Sequence, residues 1–292
     1  MVLAIETKRL TKRYGSARGV EGIDLAVAEG EVFGFIGPNG AGKSTTIRML
    51  LGLIFPTSGE ARVFGKDAVA QSKEARRLIG YLPSEVHYYD DMKVAELLTY
   101  SQRFYGKLDR ARMLALAERL QLDLDRNIED LSFGNRKKVG IVQALLHEPK
   151  LLVLDEPTGG LDPLMQNVFF ELLAEERRKG ATIFFSSHIL SEVQRMCDRV
   201  AILKEGRLIQ VESVENLTKN NFKKVAVSFA APPSAPLELQ GIFKQESHGN
   251  GVHLLYKGDI AALVRALGDL PLTDVRIEEP SLEEIFMHYY EK

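Results

Sequence analysis

The first part of the chain contains segments in which apolar and polar residues alternate. Ile23, Leu25 and Val27 fall on one face of the stretch IDLAV, and this period of two predicts half-buried β-strands. The stretch VFGFIG then runs into a glycine-rich turn, and KSTTIRMLLGL after it is compatible with a helix. The order predicts a buried strand, a tight turn and a helix.

The periodicity becomes helical between about residues 91 and 129, where Leu and aromatic residues recur at spacings of three and four. Apolar runs and amphipathic stretches then alternate along the chain, in the order LLVLD, PLMQNVFFELLAEERRKG, TIFFSSH, ILSEVQRMCD and RVAILKEG. This alternation predicts parallel strands joined by crossover helices, which is an α/β domain.

A break in the pattern follows Val211. The stretch NLTKNNFKK is polar, and APPSAP at 231–236 is incompatible with the interior of a helix or a central strand. Strand-like pieces (KVAVSF, GVHLLY), a helical piece (IAALVRALGDL) and a terminal SLEEIFMHYY come after it. We predict a large domain over residues 1–215 and a small α+β domain over 216–292; a single domain with a long proline-containing loop is the alternative.

Composition excludes several classes of protein. The 292 residues are 45% hydrophobic and 27% charged, a balance that supports a sizeable core. A formal net charge of -2 disfavours a nucleic-acid partner. A single cysteine, Cys197, rules out an internal disulfide and a cysteine-rich zinc site, as expected in a reducing cytosol. The sequence shows neither a signal peptide nor a run of about eighteen apolar residues, so we expect no membrane span.

The stretch GPNGAGKST matches the phosphate-loop pattern G-x-x-x-x-G-K-[ST], between a predicted strand and a predicted helix. Its glycines let successive backbone N–H groups point at an anion. Lys43 adds positive charge at the β- and γ-phosphates, and Ser44 offers a hydroxyl to Mg²⁺. A chance glycine-rich turn is the alternative. The predicted nucleotide-binding residues are Gly37, Pro38, Asn39, Gly40, Ala41, Gly42, Lys43, Ser44 and Thr45.

The stretch LLVLDEPT places two carboxylates at the end of a predicted strand. A hydrolytic nucleotide site needs a carboxylate for the metal ion and a group that orients water. Asp155 is the predicted Mg²⁺ ligand, and Glu156 is the predicted general base. Read in isolation, the pair is equally compatible with an acidic cap ahead of a helix.

Four ordered elements give the chain a resemblance to the ATP-binding-cassette (ABC) ATPases, the motor subunits of ABC transporters. These elements are GPNGAGKST, LSFGN, LLVLDEPT with GGLDP after it, and the SSH that ends the next strand. The likeness covers about residues 1–215. It implies a P-loop cassette with a RecA-like core, an antiparallel β-subdomain and a helical subdomain at about 91–145, followed by the small C-terminal domain.

The resemblance gives the pentapeptide LSFGN a role. In ABC ATPases the corresponding segment, usually LSGGQ, contacts the γ-phosphate of ATP held by the partner subunit. Ser132 would then hydrogen-bond the phosphate, Gly134 would permit close approach, and a helix starting near Asn135 would direct its positive end at the charge. The basic residues 136–138 would add to this field; a solvated helix face is the alternative.

Three further positions match family elements. His188 resembles the histidine that touches the γ-phosphate and the attacking water, although a strand-end histidine is often only a polar terminus. Asp162 matches the loop that crosses between subunits, and it also suits a helix cap before Pro163. Tyr14 resembles the aromatic residue that stacks on adenine; a solvent-facing strand tyrosine is the alternative.

The chain departs from the family pattern at two places. Phe133 and Asn135 replace the usual Gly and Gln of the signature pentapeptide. Ser84 stands where the family normally has a glutamine that helps ligate Mg²⁺ and relays the nucleotide state to the membrane subunit. Its shorter side chain puts metal coordination from this loop in doubt. The aromatic stretch VHYYD beside it suits either a docking groove or burial in the helical subdomain.

The predicted function is therefore an ATP-hydrolysing, Mg²⁺-dependent subunit of an ABC transporter. It would dimerise head to tail, with a copy of itself or another ATPase chain, and dock on separate integral membrane subunits at the cytoplasmic face. The ending PSLEEIF resembles the extension of export-type subunits. Alternatives are an ABC ATPase without a membrane partner, such as an assembly ATPase, and a catalytically silent interaction subunit.

Overall fold

The computed structural model describes residues 2–15, 17–89, 91–106, 108–219, 222–232 and 236–279. The chain divides into two compact units, Met1–Val211 and Glu212–Lys292. Within the described residues, no helix is both long enough and apolar enough to cross a membrane.

The strands that begin before the division between the units form two sheets. They are β1 (Leu3–Tyr14), β2 (Ala17–Ala28), β3 (Val32–Ile36), β4 (Ser58–Val63), β5 (Lys66–Asp67), β6 (Ile79–Leu82), β7 (Leu151–Asp155), β8 (Thr182–Ser187), β9 (Arg199–Lys204) and β10 (Arg207–Ser213). One sheet has the order β2-β1-β4-β5, and its neighbouring strands run antiparallel. The other has the order β10-β9-β3-β8-β7-β6, in which β9, β3, β8, β7 and β6 pair in parallel.

The helices of this part of the chain lie between these strands in the sequence. They are α1 (Lys43–Leu50), α2 (Ser72–Arg76), α3 (Val94–Arg103), α4 (Arg110–Arg119), α5 (Phe133–Leu145), α6 (Pro163–Arg178) and α7 (Leu190–Met196). Strands β3, β7 and β8 are buried along their whole length, as the near-continuous apolar runs of parallel strands require. The predicted α/β architecture is confirmed, and the sheet places the ends of β3, β7 and β8 at one edge.

A buried ion pair connects the helices after β6 to the rest of the first unit. Arg112 on α4 donates to the Leu145 carbonyl on α5 and to Glu176 on α6, each at 2.9 Å. Removing one partner of such a pair is costly because it leaves an uncompensated charge. This contact therefore fixes α4 against α5 and α6.

The second unit is a small α+β fold made of α8 (Val214–Lys219), β11 (Phe222–Phe229), β12 (Ile242–His248), β13 (Gly251–Lys257), α9 (Ile260–Gly268) and β14 (Leu272–Glu278). Its antiparallel sheet has the order β12-β13-β11-β14. Alternate residues such as Val225, Val227 and Leu254 pack in one core with Leu263 and Leu267 of α9. The terminal stretch SLEEIFMHYY lies outside the described residues.

Candidate nucleotide-binding site

The glycine-rich turn at residues 37–45 joins β3 to α1. Gly40 and Gly42 have φ angles of +78° and +105°, a left-handed region that favours glycine. A Cβ on Gly37 would lie 2.4 Å from the Leu203 carbonyl oxygen. Together with Ser84 and Glu156, this turn lines a cavity of about 380 Å³. The local geometry thus requires glycine at these positions.

Lys43 is the cation of this cavity. Its side chain is only 6% exposed, and its Nζ donates to the Gly37 carbonyl at 2.7 Å. The same ammonium lies 3.1 Å from Glu156 Oε1. A nearly buried charge needs such compensation, so the carboxylate holds the lysine inside the loop.

The two carboxylates at the end of β7 have different surroundings. Asp155 is 2% exposed and accepts a hydrogen bond from Ser186 Oγ on β8 at 2.8 Å. Glu156 follows the strand with a φ of +49°, which is uncommon for a residue other than glycine. Its N–H donates to the Ser186 carbonyl at 3.1 Å, and its carboxylate contacts both Lys43 and His188.

His188 follows β8 and is half-exposed, with its Nδ1 against Glu156 Oε2. Residues from three distant segments therefore meet at one sheet edge. The N-cap of α6 is Asp162, which accepts a hydrogen bond from the Met165 N–H at 2.9 Å. Neither Asp155 nor Glu156 caps this helix. The reading of Asp155 and Glu156 as a helix cap is wrong for this helix.

The donor set fits Mg²⁺ delivered with a nucleotide. Among the described residues there is no cluster of three or more His, Cys, Asp or Glu side chains that could hold a metal ion alone. Magnesium needs no such cluster, because it is usually bound through one or two carboxylates and the phosphates of the substrate. Ser44 in the phosphate-binding turn and Asp155 at the end of β7 supply oxygens of the required kind. Ser84 lines the same cavity.

The LSFGN segment forms the start of α5. The helix begins at Phe133, earlier than the predicted start near Asn135, because Ser132 is its N-cap and accepts from the Asn135 N–H at 3.3 Å. Phe133 is 56% exposed, yet a Cβ on Gly160 would lie 2.4 Å from its ring. One edge of the ring thus rests on the loop before α6.

Lys137 corrects a prediction made for the basic residues of α5. Its side chain is 0% exposed, so it belongs neither to a solvated face nor to a field directed outward. Its Nζ donates to the carbonyls of Pro83, Ser84 and Glu156 at 2.9, 3.0 and 3.1 Å. Burial lowers the pKa of Lys137 to about 8, while the charges of Asp155 and Glu156 act in the opposite direction. The sequence analysis did not predict this burial, because lysine is almost never fully buried unless it is paired.

The two remaining predicted features are Tyr14 and the aromatic loop after Ser84. Tyr14 is exposed at the end of β1, with Lys12 Nζ 5.4 Å from the centroid of its ring. The aromatic loop after Ser84 is divided, since Val86 is buried whereas His87 and Tyr89 are exposed. All three, with Tyr88, line a groove of about 440 Å³ that also includes residues of α3 and α5.

Comparisons with known proteins identify relatives of this chain. The sequence profile of the ABC transporter family matches residues 20–159. The bacitracin transport ATP-binding protein BcrA of Bacillus licheniformis is 35% identical, over 98% of this chain and 97% of its own length. The Nod factor export ATP-binding protein I of Burkholderia orbicola is 31% identical, over 98% of this chain and 96% of its own length.

A solved structure extends the comparison to three dimensions. A bacterial ABC transporter cassette, determined as a dimer, is 26% identical with a TM-score of 0.66, and the match covers 72% of this chain and 98% of that one. The transport functions of both relatives do not favour an ABC ATPase without a membrane partner. The chain belongs to the ABC transporter family, as one of its ATP-binding ATPase subunits.

Proposed function

We propose that Lys43, Glu156 and His188 carry out ATP hydrolysis in this chain. The observation that carries the proposal is their meeting at the edge formed by the ends of β3, β7 and β8. The γ-phosphate would take the Lys43 ammonium, because a phosphate carries more negative charge than a carboxylate. Glu156 would then have an oxygen free to accept a proton from the attacking water.

His188 orients this base. A general base is more effective when a second group fixes its direction, and the imidazole lies against the Glu156 oxygen opposite the one that faces Lys43. The same imidazole would reach the γ-phosphate from the exposed side. The three side chains thus have separate tasks, which are binding of phosphate, activation of water and orientation of the base.

The nucleotide would lie along the turn at residues 37–45, with adenine on Tyr14. Exposure of the Tyr14 ring leaves it accessible for stacking. Ser44 and Asp155 would hold Mg²⁺, with Ser84 as a weaker or water-mediated ligand, and the ion would neutralise developing negative charge on the phosphates. The protein contributes a fixed arrangement of donors around the phosphates.

The segment Ser132, Phe133, Gly134 and Asn135 would act on the ATP of a second ATPase chain, in a head-to-tail pair. The Ser132 side chain lies at an exposed helix start, which is a favourable place for an anion. A related cassette was solved as a dimer. In such a pair, Asp162 would fix the loop that passes between the subunits.

The transport role would be exercised through separate membrane chains that bind the large domain at residues 1–215. Both relatives named above are ATP-binding proteins of transport or export systems, and we propose export for this chain as well. The chain would be attached to the cytoplasmic face of the membrane through those partners. The small domain at 216–292 is an accessory unit.

Thermal melting with and without MgATP tests the nucleotide site. A ligand that binds only the folded state adds stability, so MgATP should raise the melting temperature of the wild-type chain. Lys43→Ala should remove this increase. Lys8→Ala, which changes an exposed lysine of β1, should keep it. An undiminished increase in the Lys43→Ala variant would place the nucleotide elsewhere and contradict the proposal.

A further inference from the structure

Lys137 connects three segments that are far apart in the sequence. Its ammonium group carries three N–H donors, and the three carbonyls of Pro83, Ser84 and Glu156 lie within 3.1 Å of it. Every donor therefore has an acceptor inside the protein. Burying an ammonium is expensive even so, and a long apolar side chain would fill the same space without that cost.

The buried Lys137 ammonium bonds the backbone carbonyl of Glu156, a residue with an unusual φ angle. Its φ of +49° is a strained backbone conformation for a side chain of this kind. The backbone is held on both sides, since the Glu156 N–H donates to the Ser186 carbonyl and the Glu156 carbonyl accepts from Lys137. This backbone orientation is the one that directs the carboxylate at Lys43 and His188.

The location of Lys137 on α5 adds a second connection. It lies about one and a half helical turns after Ser132, the N-cap of the same helix. One rigid helix therefore carries the segment that would contact the partner's nucleotide and the lysine that holds this chain's own Glu156. The same lysine holds the Ser84 backbone at the cavity.

We propose that Lys137 is a positioning residue for ATP hydrolysis: it holds the Glu156 backbone in the orientation that places the carboxylate for water activation, and joins that backbone to the Ser84 loop and to α5. This inference rests on the proposed function of Glu156. It predicts an effect on turnover and none on nucleotide binding, because Lys137 does not belong to the turn at residues 37–45.

The decisive variant is Lys137→Met, whose unbranched side chain is one atom shorter than that of lysine and lacks the three donors. Displacing a catalytic group by about 1 Å can cost on the order of a hundredfold in rate, so we expect kcat to fall by about 10- to 100-fold. The dissociation constant for MgATP, measured by titration, should stay within about twofold of the wild-type value. Lys137→Gln keeps two N–H donors and should recover part of the lost kcat.

A control variant separates positioning from stability. Arg112→Met also removes a buried cation that bonds a carbonyl and a carboxylate, on a helix away from the cavity. It should lower the melting temperature and leave kcat near the wild-type value. If Lys137→Met does not fold, the comparison of Lys137→Gln with wild type tests the same claim, because an intermediate kcat with unchanged affinity is expected and a wild-type kcat would overturn the proposal.

A second measurement tests whether Lys137 acts on Glu156 or on the LSFGN segment at the start of α5. In the Glu156→Gln background hydrolysis should be strongly reduced, so formation of an ATP-dependent dimer would report the contact of the LSFGN segment with the partner's nucleotide separately from turnover. Adding Lys137→Met should leave that dimer intact, as measured by sedimentation. Loss of the dimer would show that Lys137 supports the signature segment and would overturn the inference. Absence of ATP hydrolysis by the wild-type chain would instead contradict the proposed function.

Discussion

The turn at residues 37–45 and the LSFGN segment at 131–135 both lie at a helix start, yet their polar groups have different surroundings. In the first, Lys43 is nearly buried and has an ion-pair partner 3.1 Å away. In the second, the Ser132 hydroxyl accepts a hydrogen bond from its own helix, and Phe133 is largely exposed. The first element is assembled within one chain, whereas the second presents its groups outward.

The chemistry of the two elements explains this difference. A buried ammonium without a partner is costly, so Lys43 must be compensated before any nucleotide binds. A neutral hydroxyl and a glycine are inexpensive to leave at the surface, because water satisfies the hydroxyl. In the proposed composite site, charge would therefore decide which part is assembled within one chain and which part is completed by a second chain.

Glu156→Gln breaks the assembled element and should have the largest effect. The change removes the proton acceptor while keeping the size of the side chain, so we expect turnover to fall by roughly 10²- to 10⁴-fold. Binding of MgATP should persist, because the Lys43 ammonium remains available to the phosphates. A phosphate-release assay and a binding titration measure the two quantities.

The matched control is Glu60→Gln on β4, where the carboxylate is exposed. It should retain full turnover. Hydrolysis near the wild-type rate in Glu156→Gln would show that Glu156 is not the base and that the ion pair with Lys43 has another purpose.

Ser132→Arg breaks the outward-facing element. The long side chain would block the approach of the partner's γ-phosphate, so a head-to-tail pair could not close over the nucleotide. In the Glu156→Gln background, ATP should convert the chain from monomer to dimer in sedimentation, and adding Ser132→Arg should abolish this shift. Turnover of the single Ser132→Arg variant should fall by about a hundredfold, since removal of one preorganised donor at a developing charge has a cost of this order.

Ser132→Arg should not affect nucleotide binding by the monomer, which a titration with MgATP checks. Ser247→Arg, at an exposed position of β12, provides a control with the same added side chain and should dimerise normally. A Ser132→Arg chain that dimerises and hydrolyses ATP like wild type would reduce LSFGN to an ordinary helix start.

Local patterns in the sequence predict the fold and the phosphate-binding turn. Continuous apolar runs identify β3, β7 and β8, and the left-handed glycines of the turn match a motif whose geometry is set within a few residues. The predicted start of α5 near Asn135 lies two residues after the observed start at Phe133, because Ser132 caps the helix. Such errors at helix ends are small, since the segment stays at the helix start in both descriptions.

Long-range contacts are the part that the sequence does not reveal. Lys137 reads as one of three consecutive basic residues, and its burial depends on carbonyls contributed by residues 83–84 and 156. The contact of Phe133 with Gly160 likewise joins two loops that only the folded chain brings together. The helical period places Lys137 on the same face as the buried Gly140, Ile141 and Ala144, but it does not show that three backbone oxygens lie there.

Ser84→Gln tests whether the loop after β6 contributes a ligand to the proposed metal site, and it should have the smallest effect. Ser84 lines the same cavity as the phosphate-binding turn, and its carbonyl is already held by Lys137, so a longer side chain would start from a fixed backbone. Glutamine would extend an amide oxygen toward the place where Ser44 and Asp155 would hold Mg²⁺. We expect the Mg²⁺ concentration for half-maximal hydrolysis to fall by roughly a few-fold, because the amide oxygen would add one neutral oxygen ligand. Ser84→Ala is the matched control and should shift the requirement in the opposite direction or leave it unchanged. Identical Mg²⁺ curves for wild type, Ser84→Gln and Ser84→Ala would show that this loop does not reach the metal ion, and the assembled half of the site would then consist of Ser44 and Asp155 without a third ligand from the loop.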